Sequence, residues 1–114
     1  MVDDDPQILK LFSRILTGGG YTVRTEQSGG DALASLEDAG PIDLLILDLS
    51  MPKPDGFEIL KAIRTKRPGL RILVISGFLG GSLLKASEFL GATASLSKTE
   101  APKLLLKTVD DLLR

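Results

Sequence analysis

Carboxylates, a hydroxyl and an ammonium stand at four places in the sequence from which they could form one site. The carboxylates are the acidic run at residues 3–5 and Asp48, the hydroxyl is that of Ser76, and the ammonium is that of Lys98. Clustered carboxylates repel one another and raise one another's pKa unless a cation lies among them. Oxygen ligands without imidazole or thiolate are typical of Mg²⁺ sites, and an aspartate carboxylate can attack phosphorus to form an acyl phosphate. The set therefore suits phosphoryl chemistry, with Lys98 and Ser76 binding the transferred group.

The composition excludes several other chemistries and partners. The chain has 114 residues with no cysteine and no histidine, which excludes disulfides, thiolate metal sites, imidazole bases and Ser-His-Asp triads. Lys and Arg count 14 against 15 Asp and Glu, so no general field attracts nucleic acid. The apolar runs are far shorter than the roughly 18 residues that span a bilayer, and the N-terminus is acidic where a signal peptide is basic. We therefore expect a cytoplasmic protein without nucleic-acid or membrane partners.

Hydrophobic periodicity predicts strands and helices in strict alternation, with turn residues at nearly every junction. The first helix has the clearest start, because Asp5 can cap its N-terminus and the missing N–H of Pro6 costs nothing there. The segment at 42–47 is apolar except for Asp43, which favours a strand buried on both faces, and Asp48 closes it. The predicted strands cover 21–25, 42–47, 71–75 and 92–96, and the predicted helices begin near Pro6, after Gly30, and at Asp55, Ser82 and Ala101.

This alternation predicts a parallel sheet with helices on both faces, because parallel strands need long crossover connections. The length suits one domain spanning residues 1–114 and is too short for a barrel of eight strand–helix units. Ligands of such open sheets bind outside the carboxyl ends of the strands. Asp48, Ser76 and Lys98 each follow a predicted strand and the acidic run precedes the first helix, so all should meet at that edge.

Four short motifs surround these residues. They are Val-Asp-Asp-Asp-Pro at 2–6, Asp-Leu-Ser-Met-Pro at 48–52 with Asp55-Gly56, Val-Ile-Ser-Gly at 74–77, and Leu-Ser-Lys at 96–98. With these motifs the sequence resembles, over almost its whole length, the receiver domains of response regulators in two-component signalling, of which CheY-like proteins are examples. The resemblance implies a flavodoxin-like, doubly wound α/β fold. Its five parallel strands would have the order 2-1-3-4-5 and be flanked by five helices.

The resemblance also assigns a role to each polar residue. A sensor histidine kinase would donate a phosphoryl group to Asp48, and the domain would then change its binding to an output protein or domain that the sequence does not identify. Ser76 would bond a phosphoryl oxygen and Lys98 would pair with its charge. The chemistry would be self-catalysed, so the domain would be a signalling switch and not an enzyme. The metal would be Mg²⁺, held by Asp3 through a bound water, by Asp4 and Asp48, and by the backbone carbonyl of Ser50.

Three features depart from the pattern of the family. Ser95 stands where many receivers carry an aromatic switch residue, and Thr99 stands where many carry a cis-proline. The third departure is the first strand, for which the sequence offers only Met1 and Val2 before the acidic run, so we expect this strand to be truncated or irregular. Three explanations stay open: a start assigned too late, a truncation rescued by another chain, or an altered sheet. A real truncation predicts apolar surface and unpaired backbone groups in the sheet, low stability, and a possible homodimer formed by strand exchange.

Ordinary roles compete with the functional ones at each position. Asp3 and Asp4 alone could be an acidic helix start, Asp48 a turn residue, Ser76 a loop hydroxyl and Lys98 a surface cation. Two other functions also stay open. One is a receiver-like interaction module that no longer takes phosphate. The other is an aspartate-nucleophile phosphohydrolase, which the absence of a second acid at Ser50 disfavours.

Overall fold

Three parallel strands form the sheet that carries the predicted site. A computed structural model describes residues 1–38, 42–49, 56–76 and 91–114. Strand β1 is Leu44–Asp48, β2 is Arg71–Ser76 and β3 is Ala94–Ser97, and they lie side by side in the order β1-β2-β3. The apolar runs of β1 and β2 are buried on both faces, as the uninterrupted apolar sequence of β1 at 44–47 predicts, whereas β3 is mostly half-buried.

Within the described residues, four helices cover the two faces of this sheet. They are α1 at Pro6–Gly18, α2 at Gly29–Asp38, α3 at Gly56–Lys66 and α4 at Ala101–Leu112. Helices α2 and α3 pack on one face, where Leu36, Leu60 and Ile63 meet Leu47. Helices α1 and α4 pack on the other face, in a second buried cluster that contains Phe12, Leu16, Leu73, Leu105 and Val109. The predicted doubly wound α/β arrangement is therefore present.

The start of α1 follows the predicted local chemistry. Asp5 is the N-cap, and its carboxylate accepts a hydrogen bond from the N–H of Gln7 at 2.9 Å. Pro6 occupies the first turn, and the helix ends before Gly20, whose φ of 95° suits a residue without a side chain. This cap sets where the chain leaves the acidic run, so it also helps to position Asp3 and Asp4.

Residues 1–3 replace the first strand with two single contacts. Val2 forms one parallel bridge to Glu26 and another to Leu47, so it lies between these two segments. The N–H of Val2 donates to the carbonyl of Ile46 at 2.8 Å, and the N–H of Asp48 donates to the carbonyl of Val2 at 3.0 Å. The predicted truncation or irregularity of the first strand agrees with this arrangement.

The predicted strand at 21–25 is wrong. The chain pairs there only at its end, where the N–H of Glu26 donates to the carbonyl of Met1 at 2.9 Å and the N–H of Asp3 donates to that of Glu26 at 3.1 Å. A strand needs a continuous ladder of backbone bonds to a neighbouring strand. Among the described residues, residues 21–25 have no such ladder, although Tyr21 and Val23 are β-prone residue types.

The complete order of five strands with five helices is not established by the described residues. The predicted helix from Ser82 to Leu90 lies outside them. The other predicted elements are confirmed with small changes at their ends, since β2 extends to Ser76 and β3 begins at Ala94. Among the described residues no helix has the length and apolar character needed to cross a membrane.

Candidate functional site

The carboxyl ends of the three strands bring the predicted reactive groups to one edge. Asp48 is the last residue of β1, Ser76 is the last of β2, and Lys98 follows the last residue of β3. The parallel register places Asp48 beside Ile75, and Ser76 beside Ser97. Asp48 and Ser76 are almost completely buried, at 2% and 1% exposure, so they form the floor of the site and not its rim.

The acidic run meets Asp48 because Val2 is fixed beside β1. The bond from the N–H of Asp48 to the carbonyl of Val2 holds the next residues of the run over the end of the strand. One carboxylate oxygen of Asp3 accepts a hydrogen bond from the N–H of Asp5 at 2.9 Å, which fixes the turn into α1. Oxygens of Asp3, Asp4 and Asp48 then lie within 4.8 Å of one another. Asp4 is exposed, whereas the other two carboxylates are buried.

Lys98 is the counter-ion of the two buried carboxylates. Its Nζ lies 3.1 Å from Oδ2 of Asp48, to which it donates a hydrogen bond, and 3.3 Å from Oδ2 of Asp3. The N–H of Lys98 donates to the carbonyl of Ser76 at 2.9 Å, so the backbone that carries the ammonium is tied to the end of β2. Burial lowers the pKa of Lys98, but the bonds and charges of Asp48 and Asp3 outweigh it and leave the pKa raised.

The pKa of the Asp3 carboxyl is raised by its surroundings. Burial raises the pKa of Asp3 from 3.8 to about 6; the bond from Asp5 opposes this rise, the charge of Asp48 adds to it, and Lys98 opposes it. Its Oδ2 is buried and accepts no hydrogen bond within the described part of the chain, although it is close to the Lys98 ammonium. One ammonium therefore compensates only part of the negative charge of the cluster.

The donor set fits a hard divalent cation such as Mg²⁺. It consists of carboxylate oxygens only, one of them exposed and two buried, and it includes a buried oxygen that accepts no hydrogen bond within the described residues. Mg²⁺ prefers oxygen ligands, keeps several waters, and commonly uses one or two carboxylates. Because Asp4 is exposed, its side of the cluster is accessible to solvent.

The structure brings together most of the predicted site. Asp3, Asp4, Asp48 and Lys98 are in one cluster, and Ser76 ends the neighbouring strand. The predicted carbonyl ligand, that of Ser50, lies outside the described residues.

The sequence placed Val2 in the remnant of the first strand but did not reveal the second backbone anchor, Glu26, whose carbonyl accepts from the N–H of Asp3. No local signal at Glu26 indicates this contact. Ser95 and Thr99, the two other departures, lie on β3 and in the turn after Lys98, and Ser95 is half-buried.

Comparison with known proteins defines the class to which this fold and site belong. The family model of the response regulator receiver domain matches residues 1–110. The chain belongs to this family, and the resemblance read from its motifs is confirmed. It is thus a receiver domain of the kind used in two-component systems, a signalling switch and not an enzyme in the ordinary sense.

Particular relatives show the extent of the similarity. The transcriptional regulatory protein GlrR of Escherichia coli is 33% identical over 99% of this chain and 25% of its own length. Response regulator RR06 of Streptococcus pneumoniae is 34% identical over 100% of this chain and 52% of its own length. The chain therefore spans about a quarter to a half of these relatives.

Solved structures agree with the fold. A CheY-like receiver domain protein of Methanospirillum hungatei has a TM-score of 0.89 at 30% identity, covering 98% of this chain and 89% of its own. Chemotaxis protein CheY4 of Vibrio cholerae has a TM-score of 0.88 at 34% identity, covering 98% of this chain and 94% of its own.

Proposed function

We propose that Asp48 is the phosphoacceptor of this receiver domain and takes its phosphoryl group from a sensor histidine kinase. The observation that carries the proposal is the placement of the Lys98 ammonium 3.1 Å from a buried carboxylate oxygen of Asp48, at the open edge of the sheet. Such an ammonium suits a site where a second, more negative group will be built on the same carboxylate. A purely structural turn aspartate would not need a buried position and a dedicated cation.

The transfer step follows from these groups. A carboxylate oxygen of Asp48 forms a bond to phosphorus while the bond from phosphorus to the histidine nitrogen of the donor breaks, and that nitrogen keeps the electron pair. The product is an acyl phosphate on Asp48. Lys98, already in contact with this carboxylate, neutralises part of the added charge, and the hydroxyl of Ser76 donates to a phosphoryl oxygen.

The acidic cluster would hold the metal of this reaction. Asp4 and Asp48 would ligate Mg²⁺ directly and Asp3 would contact it through a water; the further ligand that the resemblance implies, the backbone carbonyl of Ser50, lies outside the described residues. Bound Mg²⁺ would supply charge neutralisation to the phosphoryl oxygens during transfer. Asp3 also pairs with Lys98 at 3.3 Å, so it orients the ammonium that contacts Asp48.

The phosphorylation state of the receiver domain is read by an output protein or an attached output domain. Because the chain spans about a quarter to a half of its curated relatives, the whole protein's partners and output belong to this proposal too. We take residues 1–114 as one receiver domain. Its phosphorylation changes the affinity of the domain for an output protein or an attached output domain.

Beryllofluoride, an acyl-phosphate mimic, tests the proposal directly. The protein is titrated with Mg²⁺, beryllium and fluoride, and bound fluoride is followed by ¹⁹F nuclear magnetic resonance. We expect the natural sequence to bind, Asp48→Asn to show no bound signal, and Asp111→Asn to bind normally. Asp111 is a matched control because it pairs with Arg114 at the exposed end of α4. Absence of a bound signal in the folded natural protein, or normal binding by Asp48→Asn, would contradict the proposal.

A further inference from the structure

The turn that carries Lys98 from β3 to α4 is closed by one pair of side chains. The hydroxyl of Ser97, the last residue of β3, donates to a carboxylate oxygen of Glu100 at 3.0 Å. The N–H of Glu100 donates back to the same hydroxyl at 3.3 Å and to the carbonyl of Ser97 at 3.1 Å. Only Lys98 and Thr99 stand between these partners, so the Ser97–Glu100 pair encloses the residue that supplies the ammonium of the site.

The side chain of Glu100 serves this turn and not the helix that follows it. Glu100 is the N-cap of α4, and its carbonyl accepts from the N–H groups of Lys103 and Leu104 at 3.1 and 3.0 Å, which begins the helix. An N-cap side chain ordinarily accepts from an N–H two or three residues further on. The carboxylate of Glu100 makes no such bond and turns back to the hydroxyl of Ser97. Ordinary helix capping therefore does not account for the pair.

Both ends of the turn are attached to the body of the domain. At the strand end, Ser97 pairs with Ser76 in the parallel ladder, and the N–H of Lys98 donates to the carbonyl of Ser76 at 2.9 Å. At the helix end, Ala101 is completely buried in the cluster of α1 and α4. No proline stands between Ser97 and Ala101, so no ring restricts the backbone of Lys98 and Thr99. The hydrogen bonds of the Ser97–Glu100 pair supply a restriction in its place.

The backbone of Lys98 needs such a restriction because its side chain is long and flexible. The ammonium lies 3.1 Å from Asp48 and 3.3 Å from Asp3, at the end of a stem with four carbons that can adopt many conformations. A backbone that is already fixed reduces the number of arrangements that must be lost before the ammonium meets a phosphoryl oxygen. A misplacement of about 1 Å at a reacting group can slow a reaction by up to about a hundredfold.

We propose that Ser97 and Glu100 are positioning residues of the phosphoryl transfer. Their pair fixes the backbone of Lys98, so that the ammonium meets the phosphoryl group that is built on Asp48. This inference rests on the proposed function of Asp48 and assigns two further residues to it. The hydrogen bonds carry the role and the negative charge of Glu100 does not, because the partner of the carboxylate is a neutral hydroxyl.

Affinity for beryllofluoride in the presence of Mg²⁺, followed by ¹⁹F nuclear magnetic resonance, tests the positioning role. Ser97→Ala and Glu100→Ala should each weaken binding about fivefold, the factor that corresponds to the loss of one net hydrogen bond. Ser97→Thr keeps a hydroxyl and Glu100→Gln keeps a carbonyl acceptor, so both should bind within about twofold of the natural protein. A loss in Glu100→Gln equal to that in Glu100→Ala would assign the effect to charge and would overturn the proposal.

A matched control lies at the other end of the same strand. Just before β3 begins, the hydroxyl of Thr93 accepts from the N–H of Ile72 at 3.0 Å. Thr93→Val therefore removes one side-chain hydrogen bond beside β3 and leaves the turn at Lys98 intact. We expect this variant to melt at a lower temperature than the natural protein and to bind beryllofluoride with natural affinity. Circular dichroism verifies that the variants are folded. Weakening by Thr93→Val as large as that by Ser97→Ala would show general destabilisation and would overturn the proposal.

Amide hydrogen exchange reports on the turn without any phosphate mimic. The N–H groups of Lys98 and Glu100 should exchange about fivefold faster in Ser97→Ala than in Thr93→Val, and equal rates in the two variants would overturn the proposal. The binding data also separate the two levels of the account. Natural affinity for beryllofluoride in folded Ser97→Ala would overturn the positioning role and leave the role of Asp48 intact. Absence of binding by the natural protein would overturn the proposed function of Asp48 and this inference with it.

Discussion

The two halves of the site are supported very differently. Asp48, Ser76 and Lys98 stand at the ends of strands that pair over five residues between β1 and β2 and over four between β2 and β3. Asp3 and Asp4 follow a single residue, Val2, that is bridged once on each side. The proposed nucleophile and its counter-ion are therefore part of a continuous sheet. Asp3 and Asp4, the other two proposed metal-binding acids, are held by the few hydrogen bonds of Val2 and Asp3.

This difference predicts which properties respond to which changes. The free energy of unfolding should depend mainly on the strand side of the site. Affinity for Mg²⁺ should depend mainly on residues 1–5, because few bonds other than those of Val2 and Asp3 hold these residues in place. Substitutions that affect one property and spare the other can separate the two halves.

The largest expected effect comes from shortening one buried side chain in β1 and one in residues 1–3. Leu47 is fully buried in β1, and Leu47→Ala should lower the free energy of unfolding by about 2–5 kcal/mol. Val2 is equally buried but is anchored only by its two bridges, and Val2→Ala should cost about 1–2 kcal/mol. Urea unfolding of both variants gives the comparison. An equal or larger cost for Val2→Ala would show that residues 1–3 are as firmly integrated as β1.

The second prediction concerns pH and Asp3. Because burial raises the pKa of Asp3 to about 6 in the folded protein, the folded state holds a proton there that the unfolded state has lost. Stability without metal should therefore fall as pH rises from about 4 to about 6, by up to about 3 kcal/mol from this residue. Asp3→Asn, which cannot ionise, should be stabilised relative to the natural protein at pH 7 and should show a flatter profile.

Urea unfolding between pH 4 and pH 7 in the presence of a chelator measures this profile. Mg²⁺ should restore part of the lost stability at pH 7, since a cation that binds only the folded state stabilises it by mass action. An Asp3→Asn profile parallel to that of the natural protein would show that Asp3 does not cause the slope.

A smaller effect is expected at the counter-ion. Lys98→Met should lower the free energy of unfolding at pH 7 by about 1–3 kcal/mol, because it removes the ammonium that contacts both buried carboxylates. Added Mg²⁺ should stabilise this variant more than the natural protein, because the metal then replaces the missing charge. Lys103→Met, on the exposed face of α4, serves as the control. Thermal melts with and without Mg²⁺ measure both effects, and a loss unaffected by Mg²⁺ would count against the counter-ion role.

The smallest effect on stability is expected at the exposed acid. Asp4→Asn should change the free energy of unfolding by no more than about 0.5 kcal/mol, since Asp4 is exposed. The same variant should lose most of the stabilisation that Mg²⁺ gives to the natural protein. A Mg²⁺ titration followed by melting temperature tests this, and an unchanged response in Asp4→Asn would remove Asp4 from the metal site.

The same contrast explains how much could be predicted from the sequence. The apolar run that ends in Asp48 and the cap formed by Asp5 and Pro6 are determined by local residue types, so β1 and the start of α1 were predicted closely. The edge that gathers Asp48, Ser76 and Lys98 follows from parallel pairing alone. The segment at 21–25 was misassigned because strand formation depends on a partner distant in sequence, which Tyr21 and Val23 do not reveal.

Contacts between distant residues set the finer geometry of the site. Lys98 bridges Asp3 and Asp48, and the pKa of Asp3 is raised. Both effects depend on burial, which arises only after residues 1–3 dock between Glu26 and Leu47.

Site-specific phosphorylation tests the central claim most directly. The protein is incubated with acetyl phosphate and Mg²⁺, and the acyl phosphate is located by mass spectrometry of rapidly digested peptides. We predict one phosphoryl group on Asp48, its loss on removal of Mg²⁺, and none in Asp48→Asn, with Asp111→Asn labelled like the natural sequence. A phosphoryl group on another residue, or none on the folded natural protein, would contradict the assignment of Asp48 as the phosphoacceptor.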